Sequence, residues 1–156
     1  MKLRFLCPAH GIELANSPER ARTCFETGLD TGYLLTEQGL YEEALPHLGC
    51  AFEAAEIIFA ARGVERERAY SMFTTATVLL SRVYSALNQH EQGAHICQLA
   101  VRRLLSEASL QPHSEQAITR QMQEIYRYTH QESTVPVQMR VGRRKAPRPA
   151  HFATIH

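Results

Sequence analysis

Two short segments pair a cysteine with a histidine at a spacing that metal sites use. In "FLCPAHG", Cys7 and His10 are three positions apart around Pro8, and in "HLGC", His47 and Cys50 have the same separation. If His47 and Cys50 lie on a helix, this separation puts both side chains on one face. Two cysteines and two histidines form a ligand set that closes tetrahedrally around zinc. The four residues therefore predict a zinc site that ties an N-terminal arm, in a proline-containing turn, to a helix.

The same residues also have a packing interpretation without metal. Buried cysteine behaves as a small hydrophobe, so Cys50 can be a core residue, and His47 can be a surface histidine. In that case we expect Leu3, Phe5 and Leu6 to cover an apolar end of the first helical hairpin. Both interpretations predict an arm that lies beside His47 and Cys50.

Other catalytic chemistry has little support in the sequence. It contains no glycine-rich phosphate loop, no nucleophilic-serine elbow and no HExxH motif. Adjacent acids such as Glu42 and Glu43 are typical of the first turn of a helix. A thiol-based enzyme or redox sensor that uses Cys7 or Cys50 stays open as an alternative, but the sequence favours a protein that is not an enzyme.

Composition limits the size and the setting of the fold. The chain has 156 residues, of which 44% are hydrophobic, enough for one core. It has no apolar run of transmembrane length, and "MKLRFLCPAH" has too few apolar residues for a signal peptide. We therefore predict a cytoplasmic protein with no membrane partner, in which the four cysteines are thiols or metal ligands.

Apolar residues at helical spacing predict an all-α fold with five helices in the domain 17–132. Ser17 followed by Pro18 is a helix start signal, and this first helix ends at Gln38 and Gly39. The other four follow at about 40–62, 65–88 and 91–109 and from 114 onward. Residues 1–16 form the N-terminal arm, in which "KLRFL" alternates and is either a short strand or an extended segment. Short connections make consecutive helices antiparallel neighbours.

Two helical hairpins are versions of each other at a distance of 49 residues. The alignment pairs Gly32 with Ser81, Leu35 with Tyr84, Gly39 with Asn88, Ala44 with Gly93, Leu48 with Cys97 and Ala51 with Ala100. The stretch "GLYEEAL", residues 39–45, resembles the turn and second-helix start of a tetratricopeptide repeat, and Gly32, Leu35, Leu48 and Ala51 fit that repeat's packing positions. The period is longer than in that family, and the fifth helix matches no repeat.

The resemblance implies a right-handed solenoid that binds another protein in a groove lined by the first helix of each hairpin. It places these groove residues on the chain: Glu26, Leu29, Asp30, Tyr33, Glu37, Thr75, Val78, Leu79, Arg82 and Ser85. The lysines and asparagines with which some relatives hold a peptide carboxylate are absent from these positions. The acidic residues and the tyrosine of the first wall suit a basic or amphipathic peptide or helix of a partner protein. The protein itself would then be an adaptor, a chaperone or a regulator. Alternatively, Leu29 and Val78 are core residues, and the acids are a solvated face.

The C-terminal segment 133–156 has a different charge from the rest. The chain before it has twelve basic and sixteen acidic residues, a net charge of −4, and the tail has five basic residues and no acid. The basic residues are Arg140, Arg143, Arg144, Lys145 and Arg148. Such a tail is a solubilising end, a segment that folds back on the acidic groove, or a contact with nucleic acid. The alternative to the adaptor is therefore a zinc-stabilised regulator that uses its tail on nucleic acid. A second copy of the chain could also cover an apolar face of this short solenoid, which would make the protein a homodimer.

Overall fold

Helices make up nearly all of the chain that the structure describes. The computed structural model describes residues 4–61 and 64–134. Its elements are α1 (Pro8–Ala15), α2 (Pro18–Glu37), α3 (Tyr41–Ala60), α4 (Arg66–Ala86), α5 (His90–Leu110), a 3₁₀ turn (Pro112–Ser114) and α6 (Glu115–Thr134). No strand occurs in these two ranges, so the all-α prediction is confirmed. None of their helices combines the length and the apolar character needed to cross a bilayer.

The first predicted helix starts where its capping residues indicate. The Ser17 hydroxyl accepts a hydrogen bond from the backbone N–H of Arg20 at 3.4 Å, and Pro18 occupies the first helical position. Proline costs nothing there, because the N–H that it lacks would have no partner inside the helix. The local start signal therefore fixes the beginning of α2.

The N-terminal arm contains a helix, α1, that the sequence pattern does not predict. The segment expected to be a turn around Pro8 is the first turn of α1, and the thiol of Cys7 caps it by accepting a hydrogen bond from the His10 N–H at 3.4 Å. α1 packs against α2 and α3, with Leu14 buried. A helix of 8 residues is marginal on its own, so this packing stabilises it.

The two hairpins end their first helices with the same backbone turn. Among the described residues, Gly39 has a φ of 75° and Asn88, 49 positions later, has a φ of 60°. After α2, the N–H of Leu40 donates to the Leu35 carbonyl at 2.9 Å, and after α4, the N–H of residue 89 donates to the carbonyl of residue 84 at 2.8 Å. This pattern is a Schellman motif, which needs a left-handed residue that glycine or asparagine tolerates best. The backbone therefore repeats at the distance that the sequence alignment predicts.

Each helix packs mainly against its neighbours in sequence, as in a helical-repeat fold. α3 lies between α2 and α4, α4 packs on α5, and α6 packs on both α4 and α5. α2 and α4 have only a small direct contact, whereas α4 and α6 pack more closely. The helices α2, α4 and α6 therefore share one side of the molecule, with an open space where α2 and α4 separate.

Small residues control the helix spacing inside each hairpin. A Cβ atom at Gly32 would lie 2.5 Å from Cγ of Leu48, so the leucine occupies the space that the glycine leaves. At the equivalent positions of the second hairpin, the Cys97 thiol lies 3.4 Å from the Ser81 hydroxyl, within hydrogen-bond distance. A glycine–leucine pair in one repeat therefore corresponds to a serine–cysteine pair in the other.

Candidate functional site

The open space between α2, α4 and α6 forms a cleft of about 570 Å³. Its lining residues come from all three helices: Leu29, Asp30, Tyr33, Ser71, Thr74, Thr75, Val78, Leu79, Arg120, Gln121 and Glu124. Six of the residues that the repeat resemblance places in a groove are in this list. The other four, Glu26, Glu37, Arg82 and Ser85, lie on α2 and α4 outside the lining of the cleft.

The cleft has an apolar floor and an aromatic rim. Leu29, Val78 and Leu79 are half-buried and pack against the core, so they belong partly to the core and partly to the cleft. Tyr33 is 49% exposed. A half-open apolar surface beside an exposed tyrosine is a common composition for the centre of a binding interface.

The lining of this cleft includes Thr74, whose hydroxyl group has no partner among the described residues. Thr74 is only 4% exposed, and its Oγ1 atom has no hydrogen-bond partner in the described part of the chain. The buried hydroxyls of Thr36 and Thr77, in contrast, each donate to the carbonyl four residues earlier, at 2.7 Å. An unpaired buried hydroxyl costs about 1–3 kcal/mol. Because Oγ1 has almost no accessible surface, a ligand in the cleft would reach it only if the Thr74 side chain rotated.

The charges around the cleft have both signs. Asp30 lies on one wall, and Arg120 and Glu124 lie on α6 opposite it. Glu124 accepts a hydrogen bond from Arg127, one turn along α6, at 3.0 Å. Of the acidic residues that the sequence places in the groove, Asp30 is the one in the lining of the cleft. α6 adds a cation, Arg120, that the repeat pattern does not indicate.

Three of the four predicted zinc ligands line a second cleft, between α1, α2 and α3. His10, His47 and Cys50 are in its lining together with Cys24. Cys7 lies instead in the lining of a different cleft, beside Arg4 and Leu99. No three His, Cys, Asp or Glu side chains in residues 4–61 and 64–134 are arranged to hold a metal ion.

The N-terminal arm docks on α3 through its backbone. The carboxylate of Glu53 accepts hydrogen bonds from the N–H groups of Phe5 and Leu6, at 2.6 Å and 3.0 Å. The Cys50 thiol lies 3.9 Å from the Phe5 carbonyl, and the Phe5 ring lies over Gly49, where a Cβ atom would come within 2.2 Å of it. The arm therefore lies beside Cys50, as both interpretations of the sequence predict, and Leu6 is buried. Leu3 is outside the described residues.

The surroundings of the two thiols of the second cleft, Cys24 and Cys50, disfavour the thiolate form. Burial raises the pKa of Cys24. Burial also raises the pKa of Cys50, and the negative charges that Cys24 and Glu53 can carry raise it further. A thiol with a raised pKa is mostly protonated at neutral pH, which does not favour the thiol-redox alternative at these two positions.

A further cleft, at the ends of α3 and α5, contains a half-buried cation, Arg66. Arg66 donates to the carbonyl of Phe59 at 2.8 Å and forms an ion pair with Glu107, which also accepts from the Tyr70 hydroxyl at 3.2 Å. The guanidinium group lies 5.4 Å from the centre of the Phe59 ring and 5.2 Å from that of Tyr70. Both terminal nitrogens of Arg66 are paired in this way, whereas its Nε has no partner among the described residues. We assign the cluster to the junction of α3, α4 and α5.

Comparisons with known proteins add no further assignment. No protein-family model, no curated protein and no solved structure matches this chain. The basic residues Arg140, Arg143, Arg144, Lys145 and Arg148 lie outside the described residues, so the predictions for the tail stay predictions.

Proposed function

We propose that this protein is a non-enzymatic interaction module, an adaptor, chaperone or regulator, that binds a peptide or helix of a partner protein. The binding site is the cleft between α2, α4 and α6. The observation that carries the proposal is the composition of this cleft, in which a half-open apolar floor lies beside an exposed tyrosine. A ligand that fills the cleft would bury Leu29 and Val78, and it would pair with the Thr74 hydroxyl if that side chain rotated toward it.

The chemistry of the walls describes the ligand that fits. Apolar side chains of the ligand would lie on the floor, where their transfer from water contributes about 25 cal/mol per Å² of apolar surface buried. Asp30 on one wall would pair with a basic group, and Arg120 on the other wall would pair with an acidic or carbonyl group. An amphipathic segment with charges of both signs satisfies these requirements.

Site-specific photo-crosslinking from two tyrosines tests this placement. Tyr33 in the cleft and Tyr126 outside it are exposed to the same extent, 49% and 48%. A photoreactive phenylalanine derivative at position 33 is expected to crosslink a partner in the native host, and the same derivative at position 126 is not. Substitution of Val78 by Asp should then abolish the crosslink from position 33. Equal products from both positions, or a position-33 crosslink that survives Val78→Asp, would contradict the proposal.

A further inference from the structure

Four side chains of metal-ligand type surround the cleft between α1, α2 and α3. His10 comes from α1, Cys24 from α2, and His47 and Cys50 come from α3. The cleft has a volume of about 460 Å³. The set differs from the one that the sequence spacing predicts, because Cys24 takes the place of Cys7.

Close packing of α2 on α3 explains why these residues meet. A Cβ atom at Gly28 would lie 2.7 Å from the His47 carbonyl oxygen and 3.3 Å from the backbone nitrogen of Ala51, so only glycine allows this approach. Cys24 lies one helical turn before Gly28 on the same face of α2. His47 and Cys50, three positions apart on α3, lie on the facing side of the contact. The closest approach of the two helices therefore brings both thiols and one imidazole to the same cleft.

The position of Cys7 removes it from this group. Its sulfur accepts the His10 N–H as the cap of α1, and its side chain lines the cleft on the other side of the arm. His10, three residues into α1, lines the cleft that contains His47. α1 therefore directs the two ends of the Cys7–His10 motif to different surfaces.

We propose that Cys24, Cys50, His47 and His10 form a binding site for Zn²⁺. Two thiolates and two neutral imidazoles are a tetrahedral donor set that suits this ion. Binding transfers one proton from each thiol to solvent, so that two thiolate charges balance the two charges of the ion. Because the described side chains are not arranged to hold a metal as they stand, binding requires rotation of these side chains toward the centre of the cleft.

The site would have a structural consequence that is independent of the proposed peptide cleft. It would join α1 to the α2–α3 hairpin through a second set of contacts, in addition to the Glu53 carboxylate that holds the arm. Zinc in this place adds its binding free energy to the folded state, as in other structural zinc sites. The proposed function does not depend on it, and the two proposals can fail separately.

Metal titration of the full chain, reduced and stripped with a chelator, tests the stoichiometry and the ligands. With Co²⁺ as the probe, we expect one equivalent to bind with the ligand-field bands of tetrahedral Co²⁺ and a thiolate charge-transfer band, and Zn²⁺ to displace it. Cys24→Ser and Cys50→Ser should each weaken Zn²⁺ binding by more than about tenfold, since even changes in the outer shell of a site cost this much. Cys7→Ser is the matched control and should leave the affinity unchanged.

Thiol labelling of the unmodified chain gives a readout that does not depend on how the variants fold. Mass spectrometry after treatment with N-ethylmaleimide should show that Zn²⁺ protects Cys24 and Cys50, whereas Cys7 is labelled equally with and without the metal. His10→Ala should retain the charge-transfer band and bind Zn²⁺ about tenfold more weakly. Failure to bind one equivalent of either metal, protection of Cys7, or unchanged affinity in Cys24→Ser or His10→Ala would each overturn the proposed ligand set.

Discussion

The correspondence between Gly32–Leu48 and Ser81–Cys97 predicts that one pair can be converted into the other. In the structure, a Cβ atom at Gly32 would lie 2.5 Å from Cγ and 2.6 Å from Cδ2 of Leu48, so Gly32→Ser alone forces the leucine to move. Overpacking of this kind costs about 1–3 kcal/mol, and the better helix propensity of serine returns roughly 0.5 kcal/mol. We therefore expect Gly32→Ser to lower the free energy of unfolding by about 0.5–2.5 kcal/mol.

The partner substitution, Leu48→Cys, should also destabilise the protein when it is made alone. Leu48 has no exposed surface, and truncation of a buried leucine to alanine costs about 2–5 kcal/mol. Cysteine retains a sulfur atom at the γ position, so about 2 kcal/mol is expected for Leu48→Cys. In the double variant, the smaller cysteine makes room for the serine hydroxyl and lies close enough to form the contact seen between Ser81 and Cys97. The double variant should therefore lose about 1–2 kcal/mol less than the sum of the single losses.

Urea unfolding followed by circular dichroism measures this double-mutant cycle. The control cycle combines Leu48→Cys with Gly28→Ser, because a side chain at Gly28 meets the His47 carbonyl, at 2.7 Å, which Leu48→Cys does not remove. We expect the control cycle to be additive within about 0.5 kcal/mol. Additivity in the Gly32 cycle as well would refute the packing equivalence of the two hairpins, and equal coupling in both cycles would show that the rescue is not specific.

Three further substitutions test the electrostatic contacts. Glu107→Gln removes the charge that pairs with Arg66 between α4 and α5 and should cost about 1–3 kcal/mol in urea unfolding; a loss below about 0.5 kcal/mol would contradict a structural role for this pair. Burial raises the pKa of Glu56, so its native carboxyl keeps a proton over a pH range in which the unfolded chain has lost it, and stability falls as the pH rises through that range. Glu56→Gln should therefore stabilise the protein at neutral pH but not below pH about 4, and an unchanged pH profile would argue against this reasoning. Glu53→Gln keeps the shape of the carboxylate but offers one acceptor oxygen fewer to the arm, so amide hydrogen exchange at Leu6 should become faster, while α5 should exchange as before.

Local features explain why so much of the helical architecture could be predicted. The start of α2 depends on Ser17 and Pro18, and the end of the same helix depends on Gly39, whose φ of 75° is accessible to glycine at little cost. Asparagine is the residue type that most readily replaces glycine in this conformation, and Asn88 ends α4 in the same way. These interactions involve residues only a few positions apart, so they can be read along the chain.

Contacts between distant residues explain what the sequence pattern did not reveal. Glu53 is typical of a solvated helix face, and its role becomes clear only when the backbone of residues 5 and 6 lies next to it. α1 contains Gly11 and only one buried residue, Leu14, so its formation depends on the surface on which it packs. Cys24 belongs to the apolar stripe of α2, and its proximity to Cys50 follows from the close approach at Gly28. For Glu53 and for Cys24, the residue that each one meets is tens of positions away.

The order in which the helices pack also determines how the cleft between α2, α4 and α6 can open. α6 is the last helix that the structure describes, and it contacts α4, α5 and the 3₁₀ turn before it. α2 packs mainly on α3, and α3 packs mainly on α2 and α4. In such a linear array, a terminal element can unfold locally while the rest stays folded. Loss of α6 would remove the wall that contains Arg120 and Glu124 and leave the Tyr33 wall intact. Ligand affinity and the local folding equilibrium of α6 are therefore thermodynamically linked, so that a ligand bound across both walls would suppress the fraying of this helix.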